Sequence, residues 1–344
     1  MTSSKATLAH KLVGPVNTPL VFVVRVLLLP FYLLYLLVIS ARNALYDTGL
    51  IQPVSVGVPV VSVGNLTVGG TGKTPLIISL AQRAVAAGKQ VAVVARGYGA
   101  VADAEGRTDE VALIASRVPE AQLFVSPSKL LGAKQAAAAG VDLILVDDGF
   151  QHRRLHRDLD IAVVDARVPV SNGYVLPLGG LREPSSSLGR ADLIVLTHTE
   201  GLDKETLGMI EASVTAARRD VPVIHAQHTP IGVRSCQGGA SVAPESLAGR
   251  ELFLFSGIAS PDGFRTTVES LGATVTGALG FPDHHAFDAA SLAEVRAAAR
   301  TAQLLCTEKD ALKVAAIPGT DDVLCLVIDL RLDGEVEGIP GLDS

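Results

Sequence analysis

Residues 64–75, GNLTVGGTGKTP, follow a β-branched run at 58–63 and lead into an Ala- and Leu-rich stretch from about 75 to 87. A strand, a glycine loop and a helix in that order form the context in which backbone amides close around phosphate oxygens. Gly69, Gly70, Thr71 and Gly72 supply the loop, and the helix N-terminus adds positive dipole. Lys73 can reach β and γ phosphates, Thr74 can ligate Mg²⁺, and Pro75 falls in the first helical turn, where its missing N–H costs nothing. The strict phosphate-loop pattern has glycine where this chain has Thr67, and Gly64 and Gly69 are close enough to supply the flexibility.

The same alternation continues along the chain. Strand signatures at 90–95, 143–146, 161–164 and 193–196, with a helix at 129–139, describe a nucleotide-binding lobe. A second set of strands at 223–226, 252–255, 303–306 and 324–328 is separated by helices near 203–217, 261–271 and 292–302. Residues 185–190 and 235–248 read as connections. The expected class is α/β: a P-loop NTPase-like, mainly parallel sheet with helices on both faces, a smaller second α/β lobe, and an N-terminal membrane-associated helix. The expected division is 1–50 for the hydrophobic segment, 51–220 for the nucleotide lobe and 221–344 for the smaller lobe.

Apolar residues make up 48% of the chain and charged residues 19%, an excess concentrated in residues 19–39. As a helix this 21-residue run is ~31 Å long, the thickness of a bilayer core. Arg25 and Pro30 spoil a simple spanning helix. A cleaved signal peptide is rejected, because export would part the phosphate loop from ATP. A buried core helix is the alternative to a one-sided anchor or shallow hairpin in which Lys5, Lys11, Arg25 and Arg42 meet anionic headgroups, and membrane contact is the favoured reading. A net charge of -6 gives no field for nucleic acid, and no obligate protein partner is evident. Cys236, Cys306 and Cys325 are far apart in sequence, which argues against a disulfide framework or structural zinc site and for a reducing compartment.

LILVDDGFQHRRLHRD, residues 143–158, places Asp147 and Asp148 at the end of an apolar strand, where paired carboxylates suit Mg²⁺. The basic run from Gln151 and His152 through Arg157 suits a phosphorylated or nucleotide substrate, although His156 and Arg157 also fit an ordinary charged loop.

Together with these segments, ARGYG at 95–99, LPLGGLREP at 176–184, FPDHHAF at 281–287 and CTEKDALK at 306–313 resemble, in order, the tetraacyldisaccharide 4'-kinases, membrane-associated lipid A kinases of Gram-negative bacteria. The resemblance implies transfer of the ATP γ-phosphoryl group, with Mg²⁺, to the 4'-hydroxyl of tetraacyldisaccharide 1-phosphate, giving lipid IVA at the cytoplasmic face of the inner membrane. It implies that Asp109 is the base, in Thr108-Asp109-Glu110 where the family has Gly-Asp-Glu, with Glu110 a metal or network partner. His284 would pair with Asp109, ahead of His285. Arg182 and Lys73 would act on phosphate charge, and Asn65, Arg96, Gln151 and His152 would contact substrate or nucleotide.

A carboxylate hydrogen-bonded to an imidazole is a reasonable proton acceptor in phosphoryl transfer. The competing readings are a membrane-attached P-loop ATPase or GTPase switch and a non-catalytic nucleotide-binding module. Glu308, Lys309 and Asp310 resemble a guanine-reading motif too loosely to imply GTP. His10, His198, His225 and His228 read as structural.

Overall fold

The computed structural model describes residues 19–96, 108–334 and 336. Lys5, His10 and Lys11, and positions 97–99 of the ARGYG segment, lie outside the described residues. The elements begin with α1 (Pro19–Asp47), β1 (Val60–Gly64), α2 (Lys73–Ala86), β2 (Val91–Ala95), α3 (Asp109–Arg117), β3 (Gln122–Val125), α4 (Lys129–Ala138), β4 (Leu143–Asp147), β5 (Leu159–Asp165) and β6 (Leu193–Thr197). There follow α5 (Lys204–Val214), β7 (Val223–Ser235), β8 (Gly238–Val242), β9 (Glu251–Ser256), α6 (Pro261–Ser270), β10 (Thr274–Gly280), α7 (Ala289–Ala299), β11 (Gln303–Thr307), α8 (Glu308–Val314) and β12 (Leu324–Leu332).

These group into two compact units, Met1–Arg96 with Glu120–Gln227 and Leu332–Ser344, and Gly97–Pro119 with His228–Arg331. Residues 108–119 thus group with the C-terminal elements rather than with the phosphate loop that precedes them. The reason is visible in α3, where Arg117 donates to the Glu308 carboxylate (2.9 Å) and to the carbonyl of Ile328 (3.3 Å).

In the first unit the strands run β7-β6-β5-β1-β4-β2-β3, all parallel. Residues of β1, β2, β5 and β6 are buried throughout, as expected of mainly apolar strands covered on both faces. β1 lies between β4 and β5, and Val63 pairs with Asp147. The start of the phosphate loop and the first acid of the Asp-Asp-Gly turn are therefore side by side. That closeness requires Gly64: a Cβ there would lie 2.5 Å from the backbone nitrogen of Phe150.

Helix α1 continues through Pro30 for 29 residues. Val21, Tyr32, Tyr35 and Ile39 share one face. Tyr32, Tyr35 and Leu36 pack on the cluster of Leu66, Phe150 and Leu181. Arg25, one turn from Val21, lies on that same side of the helix and is half-buried. The other faces expose Leu20, Phe22, Leu27, Phe31, Leu34 and Leu37, each at least 60% accessible, which sets aside the buried core helix. At its C-terminal end the helix is tied down by Tyr35, whose hydroxyl donates to the carbonyl of Arg182 (2.8 Å), and by Arg42 and Asn43, which donate to Glu183 (3.1 and 2.8 Å).

In the second unit β10, β9, β11 and β12 are parallel neighbours, and β8 pairs antiparallel with the later part of β7. Residues 235–248, read as a connection, contain β8 and a short 3₁₀ turn, Pro244–Leu247. The core holds Phe255, Phe287, Val295 and all three cysteines, which are free.

Candidate functional site

The phosphate loop in the first unit is preset. Gly69 and Gly72 adopt left-handed φ of 108° and 87°, and α2 starts at Lys73 with Gly72 as its N-cap. Thr67 needs no glycine, because it forms an isolated antiparallel bridge with Leu181 and the left-handed turns fall later. Asn65 Nδ2 donates to the carbonyl of Thr67 (2.8 Å), its Oδ1 accepts from Lys73 Nζ (3.2 Å), and Thr197 Oγ1 donates to the carbonyl of Thr71 (2.8 Å). Asn65 therefore holds the loop and its lysine together.

The two acids of the turn separate in role. Arg182 Nη1 donates to both Asp148 oxygens, at 2.8 and 2.7 Å, and Lys73 Nζ lies 3.8 Å from Oδ1. Burial alone would raise the Asp148 pKa, but Lys73, Arg182 and Lys129 outweigh it and hold the group below the ordinary carboxylate value. Asp148 takes φ +52°, a conformation that non-glycine residues rarely hold without reason. Gln151 Nε2 donates to the carbonyl of Asn65 (2.9 Å) and its Oε1 accepts from Arg182 (3.4 Å), so Gln151 ties the acid turn to the loop. Burial, with the charges of Lys129 and Arg96, pushes the His152 imidazole down to about 4, leaving it neutral near pH 7. Arg153 is drawn away, to Asp47 (2.7 Å) and the carbonyl of Asn43 (3.1 Å).

Lys129 is absent from the residues that the sequence singles out. It is 2% exposed at the first position of α4, and burial pushes its ammonium down to about 8 against the opposing pull of Asp147 and Asp148. A cation at a helix N-terminus opposes the dipole, so the fold holds Lys129 there against its local preference.

No group of three or more His, Cys, Asp or Glu that could hold a metal occurs among the described residues. Mg²⁺ asks for less, since it is commonly held by one or two hard oxygens plus phosphates and water. The Thr74 hydroxyl and the Asp147 carboxylate fit that need, and with both Asp148 oxygens on Arg182 the donor set favours Asp147.

A different cluster sits in the second unit. Asp109 and Glu110 open α3, where the helix dipole favours carboxylates. Asp109 is 9% exposed, and its Oδ2 lies 3.0 Å from His284 Nδ1. His284 holds φ +60°, with its N–H donating to the carbonyl of Gly257 (3.2 Å). Glu110 lies 3.4 Å from Lys309 Nζ and 3.6 Å from His284 Nε2. His285 turns elsewhere, stacking on Phe281 and bonding Ser291 Oγ (3.0 Å). Asp310, of the loosely guanine-like segment, is fully buried and accepts from the Gly257 N–H (3.0 Å) and Thr307 Oγ1 (2.7 Å), so it is spent inside the unit. His198 pairs with Asp165 (3.4 Å), and His225 with Glu211 (2.7 Å) and Asp333 (3.0 Å).

Residues 24–339 match the family described as tetraacyldisaccharide-1-P 4'-kinase. The chain is 40% identical over 314 residues to the tetraacyldisaccharide 4'-kinase of Anaeromyxobacter sp. (strain Fw109-5), covering 86% of this chain and 84% of that one. To the enzyme of the same name from Syntrophotalea carbinolica it is 38% identical over 338 residues, 93% and 90% of the two chains. Among solved structures it is similar to LpxK from Aquifex aeolicus in complex with ATP, with a TM-score of 0.72, 30% identity, and coverage of 90% of this chain and 95% of that one.

Proposed function

Because the chain belongs to the tetraacyldisaccharide-1-P 4'-kinase family, we propose that it transfers the γ-phosphoryl group of ATP to the 4'-hydroxyl of tetraacyldisaccharide 1-phosphate, yielding lipid IVA. The observation that carries this reading beyond kinship is the Asp109 carboxylate bonded to the His284 imidazole, a proton acceptor that nucleotide binding alone does not need.

In this reading the loop amides of residues 69–74 and Lys73 hold the β and γ phosphates, with Asn65 fixing the lysine. Mg²⁺, which Thr74 and Asp147 would hold, would neutralise phosphate charge. The acceptor oxygen attacks the γ phosphorus, the bond between that phosphorus and the β–γ bridging oxygen breaks, and ADP leaves. The hydroxyl proton passes to Asp109, and His284 stabilises the carboxylic acid so formed through its hydrogen bond. Arg182 holds Asp148 and carries positive charge beside the loop, while Arg96 and neutral His152 offer further contacts for nucleotide or substrate. The product decides the matter: a phosphorus–proton correlation spectrum is expected to show the new phosphomonoester on the 4' carbon, whereas a pyrophosphate at position 1 would overturn the reading.

The enzyme works, in the same proposal, at the cytoplasmic face of the bacterial inner membrane, through the apolar faces of α1. Fully burying one such side chain contributes ~1.5–3 kcal/mol. Replacing both Leu27 and Phe31, 66% and 63% exposed, with Glu is therefore expected to weaken binding to phospholipid vesicles at least about 100-fold. Co-sedimentation with vesicles checks this, and unchanged binding would remove α1 as the anchor.

A further inference from the structure

Lys313 lies in the CTEKDALK segment, for which the sequence suggests no role, yet its ammonium reaches the proposed base directly. Nζ donates to Asp109 Oδ2 at 2.8 Å and to the carbonyl of His285 at 2.9 Å, and lies 3.8 Å from Asp310 Oδ1. Its neighbours are themselves held: Asp310 Oδ2 by the Gly257 N–H and by Thr307, and the His285 carbonyl by a segment whose ring stacks on Phe281. The two acceptors come from distant places in the chain, the start of α3 and the loop before α7, while the Asp310 ion pair lies within α8.

His284 Nδ1 approaches the same oxygen, Oδ2, at 3.0 Å. Among the described residues no hydrogen bond reaches Oδ1. Two donors on one oxygen fix the rotation of the carboxylate and concentrate its paired charge there, leaving the other oxygen to meet an incoming hydroxyl. We infer that Lys313 is a positioning residue for phosphoryl transfer, locking Asp109 Oδ2 so that Oδ1 is the atom that accepts the proton. An ammonium suits this task because it has three donors and makes no demand for a planar, bidentate partner.

This inference rests on the reading of Asp109 as the base, and the test separates the two. kcat and the KM values for ATP and lipid acceptor would be measured for wild type, Lys313→Met, Lys313→Gln, Lys313→Arg, Asp109→Asn and the Asp109→Asn/Lys313→Met double variant. Loss of orientation is expected to lower kcat of Lys313→Met about 10–100-fold, with both KM values nearly unchanged. Lys313→Arg should restore most of the rate. In the Asp109→Asn background the same Lys313→Met change should alter the residual rate less than about twofold, since a residue acting through Asp109 has nothing left to act on. An equal loss in both backgrounds would show a general structural role and overturn the inference, as would a wild-type kcat in Lys313→Met. If Lys313→Met fails to fold, the other two substitutions decide: loss with Gln and retention with Arg support the inference, and equal rates overturn it. A wild-type rate in Asp109→Asn would instead refute the base itself and take this inference with it.

Discussion

Asp109→Asn is expected to lower kcat for phosphoryl transfer to the lipid acceptor by roughly 10²–10⁴-fold, the range that a positioned general base contributes. Asn is nearly isosteric and keeps an oxygen for Lys313 Nζ and His284 Nδ1, so the side chain should remain in place at the head of α3. Only the capacity to take the proton is lost. Nucleotide affinity should be unchanged, because the loop and Lys73 supply the phosphate contacts and Asp109 acts on the acceptor hydroxyl. Steady-state kinetics with a fluorescent-nucleotide titration would check both halves. A kcat within about threefold of wild type would rule out proton transfer to Asp109 as an important part of the barrier.

Lys73→Met is expected to remove about 10²–10³ of kcat, as for the loss of one preorganised charge aimed at the reacting group. In contrast to Asp109→Asn, this change should also weaken ATP binding, because the ammonium sits beside the phosphate loop before any reaction occurs, 3.2 Å from Asn65 Oδ1. The fold should tolerate it, since Arg182 still holds both oxygens of Asp148. Kinetics and the thermal shift produced by ATP would test this together. Normal ATP stabilisation with normal kcat would mean that Lys73 serves only to order Asn65 and the loop.

The parts of the fold that could be read in advance were those with redundant signals. β1, β4, β5 and β6 are rich in β-branched residues and leucine because the sheet buries them, with Ser62 and Asp160 as polar interruptions, and the glycine loop after β1 has a single sensible geometry. The elements that were missed carry weak signals. β3, QLFV, is a four-residue edge strand with no fully buried residue, and β10, TVTGALG, alternates around a glycine on which Phe253 closes, a Cβ at Gly277 lying 2.7 Å from its ring. α3 and α8 are only nine and seven residues long, too short for an apolar period to stand out.

Site residues divide in the same way. Lys73 and the loop glycines could be found from local spacing, whereas Asp109 and His284, 175 positions apart, came forward only through resemblance to a family. Spacing along the chain says nothing about two acids in sequence: Asp147 and Asp148 look equivalent until Arg182, 34 positions on, takes both oxygens of the second. Lys129 and Lys313 were passed over for a shared reason. A lysine in a helical stretch reads as solvated, and only the tertiary fold reveals that one is buried and that the other ends on a carboxylate.

The most direct test of the account is to follow the γ-phosphate of labelled ATP in the presence of Mg²⁺, with and without detergent-dispersed tetraacyldisaccharide 1-phosphate. The account predicts that ATP is consumed only when the lipid is present and that the label appears in the lipid mole for mole with the ADP formed. ATP hydrolysis at one rate with or without lipid, the label ending as inorganic phosphate, would contradict it and point to a membrane-attached nucleotide switch.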